Sequence, residues 1–190
     1  VDPSKEQTSN EVRQFCHEIG TTLRMLEEGT QHANYAELFI GLTKEGIRKD
    51  MKESNSPLVL WDYCAERRAR INNLTAKGLF QLDGSNAKQK ITGDPGDISN
   101  LCQLGWFEWC YFKDASPFPQ KEEKLGRSLG PADNYSNEMS HWILKDTMRV
   151  TASHTFRPLT KEEYRDLNKT REREEFMKKC RAYHGDKLTV

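Results

Sequence analysis

Two carboxylates and a run of cations are the residues in this chain whose spacing could carry chemistry. Asp2 lies just after the first residue, and Glu37 follows it 35 positions later at the opening of an apolar-periodic stretch. Two-metal phosphoryl transfer requires acidic oxygens that hold two divalent ions about 3.5–4 Å apart. Magnesium prefers such hard ligands. An acid at a strand end and an acid on a facing helix can build that site, although many pairs among the chain's 29 acids share the separation. Lys44, Arg48 and Lys52 lie 7, 11 and 15 positions beyond Glu37. On a helix they fall near the face of Glu37, and a cationic stripe there can track a phosphate backbone. The competing account is a solvated face on which Glu45 and Lys49 form an i,i+4 pair.

The elements needed to position these residues can be read from periodicity. Glu11 to Ile19 has apolar positions at helical spacing, with Asn10 as N-cap and Gly20 as terminator. Residues 21–26 alternate as a short strand. A long helix is expected over 33–53, and Asn55-Ser56-Pro57 breaks it. A second helix over 58–74 follows Pro57. Residues 81–104, with Gly84, Gly93, Pro95 and Gly96, read as a linker. From Gly105 the pattern becomes five short strands, over 106–112, 124–130, 138–144, 149–151 and 154–157, which suits a small barrel. A charged helix over 159–183 closes the chain, with Thr160 and Glu163 as a capping box.

Composition sets outer limits. The 190 residues are 35% hydrophobic and 31% charged, with 29 basic and 29 acidic side chains. Net neutrality weakens a claim of strong nucleic-acid binding, but the charge is sorted locally. Residues 1–37 carry three basic and seven acidic side chains, whereas residues 38–80 carry eight and five. No apolar run is long enough to span a bilayer, and the polar opening lacks a secretory signal. Cys16, Cys64, Cys102, Cys110 and Cys180 are odd in number and form no CxxC pair, which argues for free thiols in a reducing, intracellular compartment and against structural zinc. The five histidines are scattered and read as ordinary. Gly126-Arg127-Ser128-Leu129-Gly130 lacks the GK[ST] of a phosphate-binding loop. Trp106 to Phe112 is apolar on both strand faces, so Trp106, Trp109 and Tyr111, with Trp142, read as a protein interface in preference to a base-stacking platform.

Several motifs, taken in order, resemble a known family. Asn34-Tyr35-Ala36-Glu37 is similar to the Asn-x-Ala-Glu signature around the last acid of the DDE integrases, especially those of copia-type retrotransposons. Lys44 to Asp50 resembles the helix beyond that acid, and Pro57-Leu58-Val59-Leu60-Trp61 the family's Pro-x-x-Leu-Trp segment. Asp83-Gly84 and Gly93 to Ser99 resemble the region after the catalytic core. Trp106 to Phe112, Leu125-Gly126-Arg127, Gly130-Pro131 and Met139 to Leu144 resemble the C-terminal barrel.

The resemblance covers roughly residues 1–160. It implies a mixed α+β chain: a partial RNase-H-like core over 1–80, helix-rich as truncated, a linker over 81–104, a small Src-homology-3-like barrel over 105–158, and a charged helix and tail over 159–190. Asp2 and Glu37 would be the second and third catalytic acids and would ligate Mg2+ or Mn2+. Lys44, Arg48, Lys49, Lys52 and Arg127 would contact DNA, with Lys44 at the element's end. The barrel would bind DNA or further protomers, and the location would be nuclear. The first acid belongs on a strand upstream of Val1, so the chain alone is expected not to catalyse strand transfer. Two functions follow as expectations: part of a magnesium-dependent DNA polynucleotidyl transferase, or a domesticated, non-catalytic assembly subunit.

Overall fold

The structure, a computed structural model, describes residues 9–22, 35–76, 78, 82–113, 122–132, 135 and 139–185. The chain divides into two compact units, Val1–Glu45 and Gly46–Val190. The first contains α1 (Asn10–Glu18) and the opening of α2 (Tyr35–Ser54), within which the division falls. The N-cap of α1 is Ser9, whose hydroxyl accepts from the Val12 amide, one residue earlier than expected. Phe15 and Ile19 of α1, and Leu38, Ile40 and Leu42 of α2, are all more than half exposed. The strand expected over 21–26 lies, from residue 23 onward, outside the described residues, and residues 21 and 22 are not in a strand. Asp2 lies outside them as well.

In the second unit the end of α2 packs beside α3 (Trp61–Leu74), which a 3-10 turn over Leu58–Leu60 leads into after Pro57. Close approach is possible because Gly46 has no side chain: a Cβ there would lie 3.0 Å from Arg68 Nε. Arg68 reaches over to Asp50, donating to both carboxylate oxygens in a fork.

Residues 82–104, expected as a linker, fold locally. Asn86 caps α4 (Ala87–Thr92) by accepting from the Gln89 amide, and its own amide donates to the Pro95 carbonyl. Gly93, at φ 78°, ends the helix in the left-handed conformation that glycine adopts without penalty. The short helix α5 (Ser99–Gln103) then buries Asn100 and Leu101. The segment's glycines and proline punctuate short helices here.

The five strands are β1 (Trp109–Lys113), β2 (Glu123–Pro131), β3 (His141–Leu144), β4 (Val150–Ser153) and β5 (Phe156–Pro158). They form one antiparallel sheet in the order β4-β3-β2-β1-β5, so the last strand returns beside the first. The registers pair Tyr111 with Leu125 and with Arg157, and Ile143 with Ser128 and with Thr151. A bulge in β2 between Ser128 and Gly130 shifts the β2–β3 register.

Strand β1 begins three residues later than its apolar pattern indicates. Gly105 donates its amide to the Glu108 carboxylate at 2.6 Å, and Phe107 takes a left-handed φ of 55°. That turn is locally unfavourable for an aromatic residue. It persists because Phe107 is buried and its amide donates to the Ser128 carbonyl, while the Ser128 amide donates to the Glu108 carbonyl.

Alternation in β1 feeds two cores. Trp109 and Tyr111 join a cluster with Met51, Leu60, Cys64, Leu144 and Phe176. Cys110 and Phe112 join another with Leu104 and Ile143. The final helix is two helices, α6 (Lys161–Arg165) and α7 (Leu167–His184), rather than one. Thr160 and Glu163 form the expected capping box. Asp166 breaks the run by leaving helical geometry and accepting from the Asn168 and Lys169 amides as the N-cap of α7. No helix among the described residues is long and apolar enough to cross a membrane.

Gly126 is where this sheet is tightest. A Cβ there would meet Ile143 Cγ2 at 2.6 Å, the Leu144 carbonyl oxygen at 3.0 Å and Phe112 Cε1 at 3.1 Å. Backbone cannot move aside as a flexible side chain can. Gly126→Ala is therefore expected to destabilise the fold by about 1–3 kcal/mol through overpacking. Urea unfolding checks this as a lowered midpoint with an unchanged slope.

Candidate functional sites

The outward face of α2 displays the cations read from the sequence. Glu37, Lys44, Arg48, Lys49 and Lys52 are all exposed. Glu37, Lys44, Arg48 and Lys52 fall within about 80° of one another at the 3.6-residue helical period. Lys49 lies 3.9 Å from Glu53, a solvated pair that costs it little freedom. Lys49 thus makes an i,i+4 pair of the kind the competing account invokes, but with Glu53 in place of Glu45. Inward-facing Ile47 and Met51 anchor the same helix in the core of the second unit.

A metal site cannot be assembled from what is described. Glu37 is present on α2, its proposed partner Asp2 is outside the described residues, and among the described residues no group of three or more His, Cys, Asp or Glu side chains is arranged to hold an ion. The described residues by themselves supply one of the two acids, Glu37.

Arg127 is placed differently from the α2 cations. Its guanidinium carbon lies 3.5 Å from the Trp109 ring centroid and 4.5 Å from that of Phe107, within cation–π range of both. One terminal nitrogen donates to the Phe107 carbonyl oxygen, and the other lies 3.4 Å from the Met177 sulfur. Burial pushes its pKa down to about 9. Arg127 is a half-buried bracket joining β1, β2 and α7, rather than a side chain extended toward solvent.

The aromatic residues expected at an interface are largely interior. Trp106, Trp109 and Tyr111 are buried within the chain, and Trp142 is half-buried between Tyr63 and Tyr135. Trp106 Nε1 donates to the buried Ser56 hydroxyl at 3.1 Å, and Trp109 meets Phe176 edge-on at 5.2 Å. Both faces of β1 are covered by the chain's own helices and strands, which explains its doubly apolar pattern without a partner. Exposed apolar side chains of the second unit include Leu58, Val59 and Trp61, which are 41%, 56% and 59% exposed.

A serine–histidine–asparagine relay is enclosed in the second unit. His141 Nδ1 lies 3.1 Å from Ser128 Oγ, and Nε2 lies 2.6 Å from Asn100 Oδ1 and 3.0 Å from the Asn100 carbonyl oxygen. Both Asn100 atoms accept, so the proton sits on Nε2, and Nδ1 accepts from the Ser128 hydroxyl. The spacing would suit nucleophile activation, but Ser128 and His141 have no exposure. With no room for a substrate, the relay serves to fasten α5 to β2 and β3. Burial likewise pushes the Cys64 and Cys110 thiols up to about 12, which keeps them protonated and unreactive. All five cysteines are free.

Two grooves remain. One is lined by Arg70, Lys88, Asp94, Asp97, Asn100 and Met139, among others. Its charges are already engaged: Arg70 with Glu66 at 3.2 Å, Lys88 with Asp94 at 3.8 Å, and Asp97 with the Ser99 amide at 2.8 Å. The other runs along α7 over Arg127 and Trp109, with Arg173, Glu174, Lys178 and Arg181 along it. The charges of α7 are mixed in sign along the chain. Only their assignment to a face, beside a buried arginine, separates them. Comparison of the chain with protein-family models, with curated proteins and with solved structures finds no match.

The buried imidazole gives a pH dependence. Desolvation holds the His141 pKa at about 4 in the fold, against 6.5 as the ordinary value. The neutral form is the one the fold accommodates, so its contribution is intact above pH 6.5. It is lost as pH falls from 6.5 toward 4, because the unfolded chain takes up the proton first. The loss amounts to about 3 kcal/mol. Urea unfolding at pH 7.5 and 4.5 should show this difference in the parent protein and a smaller one in His141→Gln. Equal pH sensitivity of the two proteins would refute it.

Proposed function

We propose that this chain is part of a copia-type integrase, and that the described residues serve it by binding the DNA backbone rather than by supplying a metal centre. The observation that carries this reading is the exposed stripe Lys44, Arg48 and Lys52 on α2, directly beyond the Asn-x-Ala-Glu motif. Cations repeated along one helical face match a linear array of phosphates, and their exposure leaves them available for counterion exchange. Two further features support it. The strand order returns β5 to the side of β1, as expected of a Src-homology-3-like barrel. The half-exposed Leu38 and Leu42, one turn apart on α2, are what a helix of an RNase-H-like core would present to a sheet. Within this reading Asp2 and Glu37 would contribute to a Mg2+ or Mn2+ site only in an assembly that provides further acids, and the location would be nuclear.

Fluorescence anisotropy of a labelled DNA duplex, titrated with the full chain at several salt concentrations, tests the stripe. Replacing Lys44, Arg48 and Lys52 together by Ala should weaken binding and flatten the log–log salt dependence by about 3, since each phosphate contact contributes about 0.9. These side chains are exposed, so the fold should be unaffected. An unchanged slope would overturn the reading.

A second reading, a non-catalytic assembly subunit, is favoured by the exposed residues Leu58, Val59 and Trp61, which flank the buried Leu60. Light scattering should then find a self-associated species that Val59→Glu with Trp61→Ser converts to monomer. A monomeric parent chain that recovers no protein partner would remove this alternative.

A further inference from the structure

The α7 groove combines an incompletely satisfied cation with solvent-facing ones. Burying a guanidinium without a counter-charge is costly, and among the described residues no carboxylate is paired with Arg127. The charged and titratable groups acting on it are Tyr164, Cys180 and Cys110, which are neutral in their ordinary states, and Arg173, which is a cation. A guanidinium offers five N–H donors. Here one terminal nitrogen donates to a carbonyl and the other faces the Met177 thioether, a weak acceptor, while the buried Nε has no partner. Trp109 supplies a π face in place of an anion. This arrangement leaves hydrogen-bonding capacity at the base of a groove.

The walls of that groove are asymmetric in charge. Arg173 is pinned, donating to the Glu163 and Tyr164 carbonyls and to the Thr170 hydroxyl. Lys178 and Arg181 are exposed, three positions apart on the side of α7 that also carries Thr170, Glu174 and Met177. Glu174 is the one acid among the lining residues. Met177 is flexible enough to give up its place against Arg127 to a stronger acceptor.

We propose that the α7 groove is an oxyanion site for a phosphate group, with Arg127 as the planar donor at its base and Lys178 and Arg181 as the cations at its rim. A tetrahedral phosphate suits the arrangement because it can accept from the guanidinium fork and from two separate cations at once. The site uses none of the α2 residues, so its failure and that of the DNA-backbone reading are separable.

The test is a thermal-shift titration of the full chain with sodium phosphate, with ionic strength held constant by sodium chloride. A ligand that binds the folded state raises the melting temperature with concentration. Phosphate should do so, and Lys178→Ala with Arg181→Ala should bind it roughly tenfold more weakly while melting normally without it. Arg127→Lys, which keeps the charge and loses the fork, should weaken binding in the same direction. The variant of Lys44, Arg48 and Lys52 should respond as the parent does. Competition by a short oligothymidylate would assign the phosphate to a nucleic-acid backbone, and lack of competition to a free phosphate; both retain the site. The proposal is overturned if chloride alone gives the same shift, if the rim variant keeps the parent's affinity, or if an acidic peptide protects the protein where phosphate does not.

Discussion

Strand β1 has to satisfy two cores at once, and the second unit is built around that requirement. Trp109 and Tyr111 project to one side, and Cys110 and Phe112 to the other, with all four nearly inaccessible. Each large apolar side chain so buried contributes about 1.5–3 kcal/mol, but only if both sides are covered. On one side the cover comes from α2, α3 and α7 through Met51, Leu60, Cys64 and Phe176. On the other it comes from Leu104 at the end of α5 and from Ile143 and Phe156 within the sheet. The helices before and after the strands are therefore parts of one packing problem. A one-residue slip of β1 would send each pair into the wrong core. The clamp at Gly105–Glu108 and the exchanged amides of Phe107 and Ser128 oppose that slip by fixing where the strand begins.

Polar contacts inside this framework are placed where an apolar contact would not set register. His141 joins β3 to β2 through Ser128 and to α5 through Asn100, using both ring nitrogens in one tautomer. An aliphatic residue of similar size would fill the space but would leave the Ser128 hydroxyl and the Asn100 side chain to find other partners, and each unsatisfied buried group costs about 1–3 kcal/mol. Arg157 acts similarly on the outer side. It donates to Glu123 on β2 and to Glu163 on α6, and so ties the returning β5 to the strand two places away and to the capping box. The Arg157 guanidinium beside Glu163 holds that carboxyl down at about 2.

The sequence was informative where a residue acts through its neighbours in the chain and uninformative where it acts across space. Helical periodicity located α2 and α3 to within a few residues, the Thr160–Glu163 box marked the start of α6, and alternation found all five strands. Asp166 was missed because an acid within a charged helix looks the same whether it faces water or leaves the helix to cap another. The start of β1 was misplaced because Trp106 and Phe107 fit the alternation of a strand, and nothing local announces that the Glu108 carboxylate closes a turn on Gly105. Residues 82–104 looked like a linker because their helices are too short for periodicity to register. At the candidate sites, the α2 stripe was legible because helical spacing alone makes it. The groove over Arg127 was not, since it requires β1, β2 and α7 to meet.

Net neutrality conceals how the acids are used. Asp50 is forked to Arg68, Glu108 holds the Gly105 amide, and Asp94 and Asp97 close turns on the Gly96 and Ser99 amides. Glu163 serves Thr160 and Arg157, and Asp166 caps α7. These carboxylates are directed at backbone amides and internal partners, so their charge is neutralised close to where it arises. Lys44, Arg48 and Lys52 of α2, and Lys178 and Arg181 near the end of α7, stand in water. Screening limits an exposed charge to a range of about 8–10 Å, so an incoming ligand senses the nearby face rather than the sum over the chain. Equal totals of acid and base are then compatible with two separate cationic surfaces, one a stripe of exposed ends and the other a rim around a half-buried guanidinium. They differ in the selectivity they can impose: the stripe counts charges, whereas the fork of Arg127 also requires the ligand to have the geometry of an oxyanion.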